Sequence, residues 1–246
     1  MCRCAALDDD ARALAAALWP PAAWLLPWLL ATTLAHGARP MATDDTGTSP
    51  AGECQIEAWS AREGETRTLT LAPACGLTDQ LELDTGIGRT NGADQGIDAL
   101  ALGLKWAPEA ARWSTGLGLL SLGLIGGGSW ARDDAHGWRG DNATLAGLAS
   151  WQFAPQWSLY LNVIAARARQ PSDWVHGWRS ALAWQPDERW MLFVETLHSS
   201  AANPVRNGGA RWWLLPEVLG LDLVLTRAGG IDAVSLGLGW YGIFGR

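Results

Sequence analysis

The chain has 246 residues, 48% hydrophobic and only 17% charged, with a formal net charge of −7. A charged fraction of about 25% is usual for soluble domains. No stretch after residue 38 is apolar over the roughly 18 residues a spanning helix needs, and 17 Trp with 29 Gly in alternating segments are not a solvating, disordered composition. The acidic balance also excludes a general nucleic-acid binder, which carries a basic patch.

Residues 1–38 read as a signal peptide. Ala13 to Ala35 carries no charge, holds Leu25, Leu26, Leu29 and Leu30, and is broken by Pro20, Pro21 and Pro27. Three prolines oppose a stable spanning helix, and Ala35-His36-Gly37 supplies a small-x-small cleavage site. The leader also carries Asp8, Asp9 and Asp10, which is unusual for a signal; a buried N-terminal helix is the alternative. Residues 39–53 follow as a periplasmic N-terminal segment.

The first hairpin is specified by its turn. Gly64-Glu65 is a two-residue loop of the type II′ kind, and folding about it sets Cys54 opposite Cys75. The same register places Gln55, Glu57 and Trp59 on one face with Thr68 and Thr70. An exported chain meets an oxidising compartment, so a Cys54–Cys75 disulfide is expected.

From there to the end the chain alternates with period two. Leu81 and Leu83, Leu100 to Trp106, Trp157 to Val163, Trp190 to Val194, Leu221 to Leu225 and Val234 to Trp240 each leave every second position to another kind of residue. About twelve strands result, near 55–62, 66–75, 79–88, 97–106, 112–125, 142–153, 157–167, 174–185, 189–198, 208–215, 220–227 and 233–244. Their length of about ten residues suits a tilted membrane-spanning strand rather than a globular one. Short turns with Pro108, Pro155, Pro186 and Pro216 alternate with longer polar connections such as Thr90–Gln95, Gly126–Asp141 and His198–Gly208. Tryptophans flank those short turns, as in an interfacial belt. The expectation is an all-β, antiparallel up-and-down transmembrane β-barrel over 54–246; a soluble lipocalin-like barrel or β-sandwich is the competing fold.

Several short motifs then carry a resemblance. Arg39-Pro-Met-Ala-Thr-Asp-Asp45, Gly52-Glu-Cys-Gln-Ile-Glu-Ala-Trp59, Ala72-Pro-Ala-Cys75 and Gly209-Ala-Arg-Trp-Trp213 resemble small proteobacterial outer-membrane proteins of the putative transporter or meta-pathway phenol-degradation type. That resemblance implies a barrel in the bacterial outer membrane and passage of small molecules.

With apolar residues facing lipid, the other face lines the interior. It carries Glu57, Glu82, Asp84, Lys105, Asn162, Arg179, Glu195, Arg211 and Asp222 as expected pore-lining residues. They read either as a solute-selecting lumen or as a salt-bridged filling of the barrel. Expected partners are outer-membrane lipid, small hydrophobic or polar solutes and the barrel-assembly machinery, with no nucleic acid. An enzyme is the rival class: outer-membrane phospholipase A uses Ser, His and Asn on a barrel. Here His176 with Ser180, and His198-Ser199-Ser200 with Asn203, lack that enzyme's motif. No metal-ligand spacing and no phosphate loop is present, so neither metal nor cofactor is expected. The function expected is a passive channel or transporter, against a non-conducting structural barrel or a lipid-modifying enzyme.

Overall fold

A computed structural model describes residues 40–92, 96–168 and 173–245. The signal peptide expected over 1–38 lies outside the described residues. The strands are β1 (Cys54–Glu63), β2 (Thr66–Thr78), β3 (Leu81–Asn91), β4 (Gly96–Trp106), β5 (Arg112–Thr115), β6 (Gly118–Asp133), β7 (Arg139–Ala154), β8 (Trp157–Ala168), β9 (Trp174–Asp187), β10 (Trp190–Ser199), β11 (Ala202–Leu215), β12 (Leu219–Ala228) and β13 (Ile231–Ile243). All pairings are antiparallel between chain neighbours, β1 pairs with β13, and β4 pairs with β6. The sheet therefore closes on itself. Closure removes both edges, the condition for a sheet to stand in hydrocarbon.

β4 and β5 both lie along the same edge of β6, β4 against 124–133 and β5 against 118–121. Together they make one stave, so the barrel has twelve. Its interruption is a 3-10 turn, Glu109–Ala111, after Pro108. The sequence suggests a chain reversal at Pro108 and one continuous strand over 112–125; the reversal instead falls at Gly116-Leu117. Proline and acid mark a local bend equally well in a turn and in a bulge.

Two connections expected to be long are mostly strand. β6 runs on to Asp133 and β7 begins at Arg139, with Gly126, Gly127 and Gly128 paired to Leu145, Thr144 and Ala143. β11 begins at Ala202 rather than 208, and its Pro204 falls at a register irregularity, where its missing N–H breaks no ladder. Glycine and proline hide the alternation in both places.

Burial follows the period. Leu221, Leu223 and Leu225 of β12 face outward while Asp222 and Val224 are buried. At the end that holds Trp106, Trp157, Trp184, Trp190, Trp212 and Trp240, the indoles are exposed and stack in pairs, Trp157 on Trp184 at 5.7 Å and Trp190 on Trp212 at 6.1 Å. Trp130, Trp138, Trp174 and Trp178 stand exposed towards the other end. Two aromatic girdles thus bound the apolar band, as in outer-membrane barrels.

The hairpin register is the one its turn demands. Gly64 takes φ +57°, Cys54 pairs with Cys75, and the two sulfurs are bonded.

Candidate functional site

The segment before β1 does not lie outside the barrel, where the sequence suggests a periplasmic lead-in. It crosses β2 and enters the lumen. Gly52 (φ +81°) turns the chain, its N–H donates to the Gly76 carbonyl at 2.9 Å, and the Gly76 N–H donates to the Glu53 carbonyl at 2.9 Å. A Cβ on Gly76 would stand 2.1 Å from the Ser49 carbonyl oxygen, so only glycine permits this crossing. From there the chain runs inward to Thr43 and Met41, both buried.

All nine expected lining residues face inward, and the segment binds five of them. The Lys105 ammonium donates to Asp44 Oδ1 at 2.9 Å and to the Gly47 carbonyl at 3.0 Å, with Glu82 Oε1 at 3.7 Å. Glu82 Oε2 accepts the Ser49 N–H at 2.6 Å. Asn162 accepts the Asp44 N–H and donates to the Asp44 carbonyl, each at 2.8 Å. Arg179 donates to the Ala42 carbonyl at 2.7 Å. Glu195 accepts from the backbone N–H groups of Ala42 and Thr43 and from the Thr43 hydroxyl at 2.8 Å, and from Asn207 at 2.7 Å. Thr46 adds bonds to Ser150 and Ser121. Charge-assisted bonds of this kind offset the ordering entropy of an irregular segment.

Three of the remaining four form a second cluster in the wall. Arg211 makes a bidentate pair with Asp222, 2.6 Å and 2.8 Å, and its guanidinium lies 4.9 Å from the Trp213 ring and 5.2 Å from that of Tyr241. The Tyr241 hydroxyl links Arg211 to Glu57. Gly239 leaves room for that ring, since a Cβ there would meet the Tyr241 hydroxyl at 2.6 Å. Asp84 is the ninth, half-buried beside the Lys105 group. Sequence reasoning missed Tyr241, Asp44, Thr43 and Asn207. Tyr241 and Asn207 share parity with inward neighbours and were legible that way; Thr43 and Asp44 sit in a segment without periodicity.

On the side away from the end of β13 at Ile243 the lumen opens into a chamber of about 220 Å³, floored by Pro40 and Met41 and walled by Trp59, Leu148, Ile164, Leu197 and Val224. Of the residues weighed for catalysis, His198, Ser199 and Asn203 also line this chamber, and His176 does not. The His176 ring stacks on Trp174 at 6.4 Å and the His198 ring on Trp178 at 5.9 Å, both with outward-facing tryptophans. No cluster of metal-ligating side chains occurs among the described residues.

A family profile described as "Uncharacterised conserved protein UCP029691" matches residues 25–232. The chain belongs to this family. No curated protein matches the chain. Among solved structures it is similar to the KdgM porin, with TM-score 0.59 at 7% identity over 76% of this chain and 98% of that one. The NanC porin follows with TM-score 0.56 at 7% identity, again over 76% and 98%. The COG4313 outer-membrane channel from Pseudomonas putida F1 gives TM-score 0.53 at 12% identity over 80% and 98%. At these identities the likeness establishes the barrel fold that the family member shares with outer-membrane channels.

Proposed function

We propose that the protein is a passive channel of the bacterial outer membrane for small solutes, with residues 40–49 at its narrowest point. The carrying observation is the two-faced wall: lipid-ready leucines outside and buried charged side chains among apolar ones inside, in a barrel of twelve staves. About eight staves are enough for side chains to fill the interior; here a separate segment occupies the surplus width.

The lining selects against anions. Glu57, Glu82, Glu195 and Asp222, joined by Asp44, outnumber Lys105, Arg179 and Arg211. The KdgM porin has been solved with oligogalacturonate; an acidic chain of that kind is a poor match for this interior, and a neutral or cationic solute is the better one.

Reconstitution into planar bilayers tests the proposal. Discrete conductance with cation preference is the expected result, and a silent bilayer from folded protein would favour the structural-barrel alternative.

A further inference from the structure

Among the described residues, most arginines outside the lumen stand at one rim. Arg62, Arg67, Arg89, Arg132, Arg167, Arg206 and Arg227 are all exposed, all on the outward parity of their strands, and all near the end opposite Ile243. Most cap an apolar column: Arg67 stands over Leu69 and Leu71, Arg89 over Ile87, Arg167 over Val163 and Leu161, Arg227 over Leu225, Leu223 and Leu221. At the opposite rim Arg112 and Arg189 stand among Glu109, Asp187, Glu188 and Glu217, and the outward columns end in tryptophan.

One feature of this rim does not serve its own stability. Arg62 faces Arg67 directly across the β1–β2 ladder, and Arg206 faces Arg227 across β11–β12. Like charges in facing register destabilise a sheet. Acids stand at this rim too, Glu65, Asp134 and Asp173 in its loops and Asp98 and Asp232 on its strands. Asp98 is shared by Arg89 at 3.3 Å and Arg132 at 2.8 Å, and Asp232 stands 3.8 Å from Arg227. Asp133 at the β6–β7 tip is engaged by Arg139 and His136.

Below Arg89 and Arg132 the outer wall has a shallow, open groove of about 760 Å³, which Asp98 also lines. Its floor is Ala58 and Ser60 of β1, each flanked on both neighbouring strands by leucine: Leu71 and Leu238 beside Ala58, Leu69 and Leu236 beside Ser60. Arg132, Arg89 and Trp138 stand at its mouth, with the Arg132 guanidinium 5.2 Å from the Trp138 ring.

An apolar trough ending in guanidinium forks has the form of a lipid with a phosphorylated head. We propose that the arginine rim is a docking surface for a phosphate-bearing lipid of the surrounding leaflet, its phosphates held between neighbouring arginines and an acyl chain lying over Ala58 and Ser60. Guanidinium binds phosphate bidentately, and basic clusters at a membrane surface attract anionic headgroups. A phosphate between Arg62 and Arg67, or between Arg206 and Arg227, turns a repulsive pair into an attractive triad. This inference rests on the outer-membrane reading above.

Native mass spectrometry of the detergent-purified protein tests it with three probes: a bisphosphorylated glycolipid, the same lipid without its phosphates, and inorganic phosphate. The bisphosphorylated lipid should bind at least about tenfold more tightly than its stripped form, one charge-assisted contact being enough for that factor. Inorganic phosphate at equal concentration should not displace it. The double variants Arg89→Gln with Arg132→Gln and Arg206→Gln with Arg227→Gln should each lower affinity severalfold, and Ser60→Leu should weaken binding of both lipids by filling the groove. Arg112→Gln with Arg189→Gln should change nothing. Equal binding of the two lipids by the unaltered protein overturns the proposal whether or not a variant folds; so does displacement by inorganic phosphate. A protein that conducts in bilayers but shows no phosphate preference loses this inference and keeps the channel.

Discussion

Asn162 binds a single residue with both edges of its amide, taking the Asp44 N–H and giving to the Asp44 carbonyl. A strand neighbour would make the same two bonds. One side chain in the barrel wall thereby gives an irregular segment the pairing it lacks in the sheet.

Removing that side chain isolates its effect. Asn162→Ala leaves two buried backbone groups without their partner, at about 1–3 kcal/mol each. The segment should undock while the wall survives. Single-channel conductance should rise, and the unheated protein should still migrate as a folded barrel on a gel. Unchanged conductance in the folded variant would deny the segment its place as the constriction.

Gly76 offers the same outcome by another route. Gly76→Val places a side chain against the Ser49 and Pro50 carbonyls, so the crossing between β2 and the segment cannot form. Conductance should rise in parallel with Asn162→Ala, and the double variant should add little to either alone.

The two faces of β12 can be weighed against each other. Leu223 faces outward and Val224 inward. Leu223→Arg should cost about 2–4 kcal/mol near the bilayer centre, whereas Leu223→Val should cost well under 1.5 kcal/mol. Urea titration of protein refolded into lipid reads both. A tolerated arginine would place that column away from lipid.

For Cys54 and Cys75, the chain between them spans 21 positions, and loop-entropy arguments set the stabilisation at about 3 kcal/mol as an upper figure. Hairpin pairing already restrains this loop, so Cys54→Ser should lower stability by less while leaving assembly intact. Tryptic peptides from non-reduced protein should be joined through these two residues.

Orientation is tested on whole cells. The β6–β7 tip at 134–138 should be cut by added protease and the β9–β10 turn at Glu188-Arg189 should be spared. The reverse pattern would turn the barrel over in the membrane.

The wall was largely legible in the sequence because a strand's period is two and cannot drift. That is why Glu57, Lys105, Arg179 and Asp222 could be assigned to one face before any coordinate was known. It fails where residues lack side chains or N–H groups to betray the alternation, as at Gly126–Gly128 and Pro204. Residues 40–49 were not legible at all. Their order comes from Glu82, Lys105, Asn162, Arg179 and Glu195, which are distant in the chain. No local propensity encodes such a path.

The Cys54–Cys75 bond lies beside the crossing where Gly52 and Gly76 join the segment to β2. Any pull on residues 40–49 meets that bond before it reaches the ladder between β1 and β2. The first hairpin therefore cannot peel from the end where the segment enters, and motion of the segment is confined to the bend at Gly52. The covalent link gives the inserted chain a fixed root at the seam between β1 and β2.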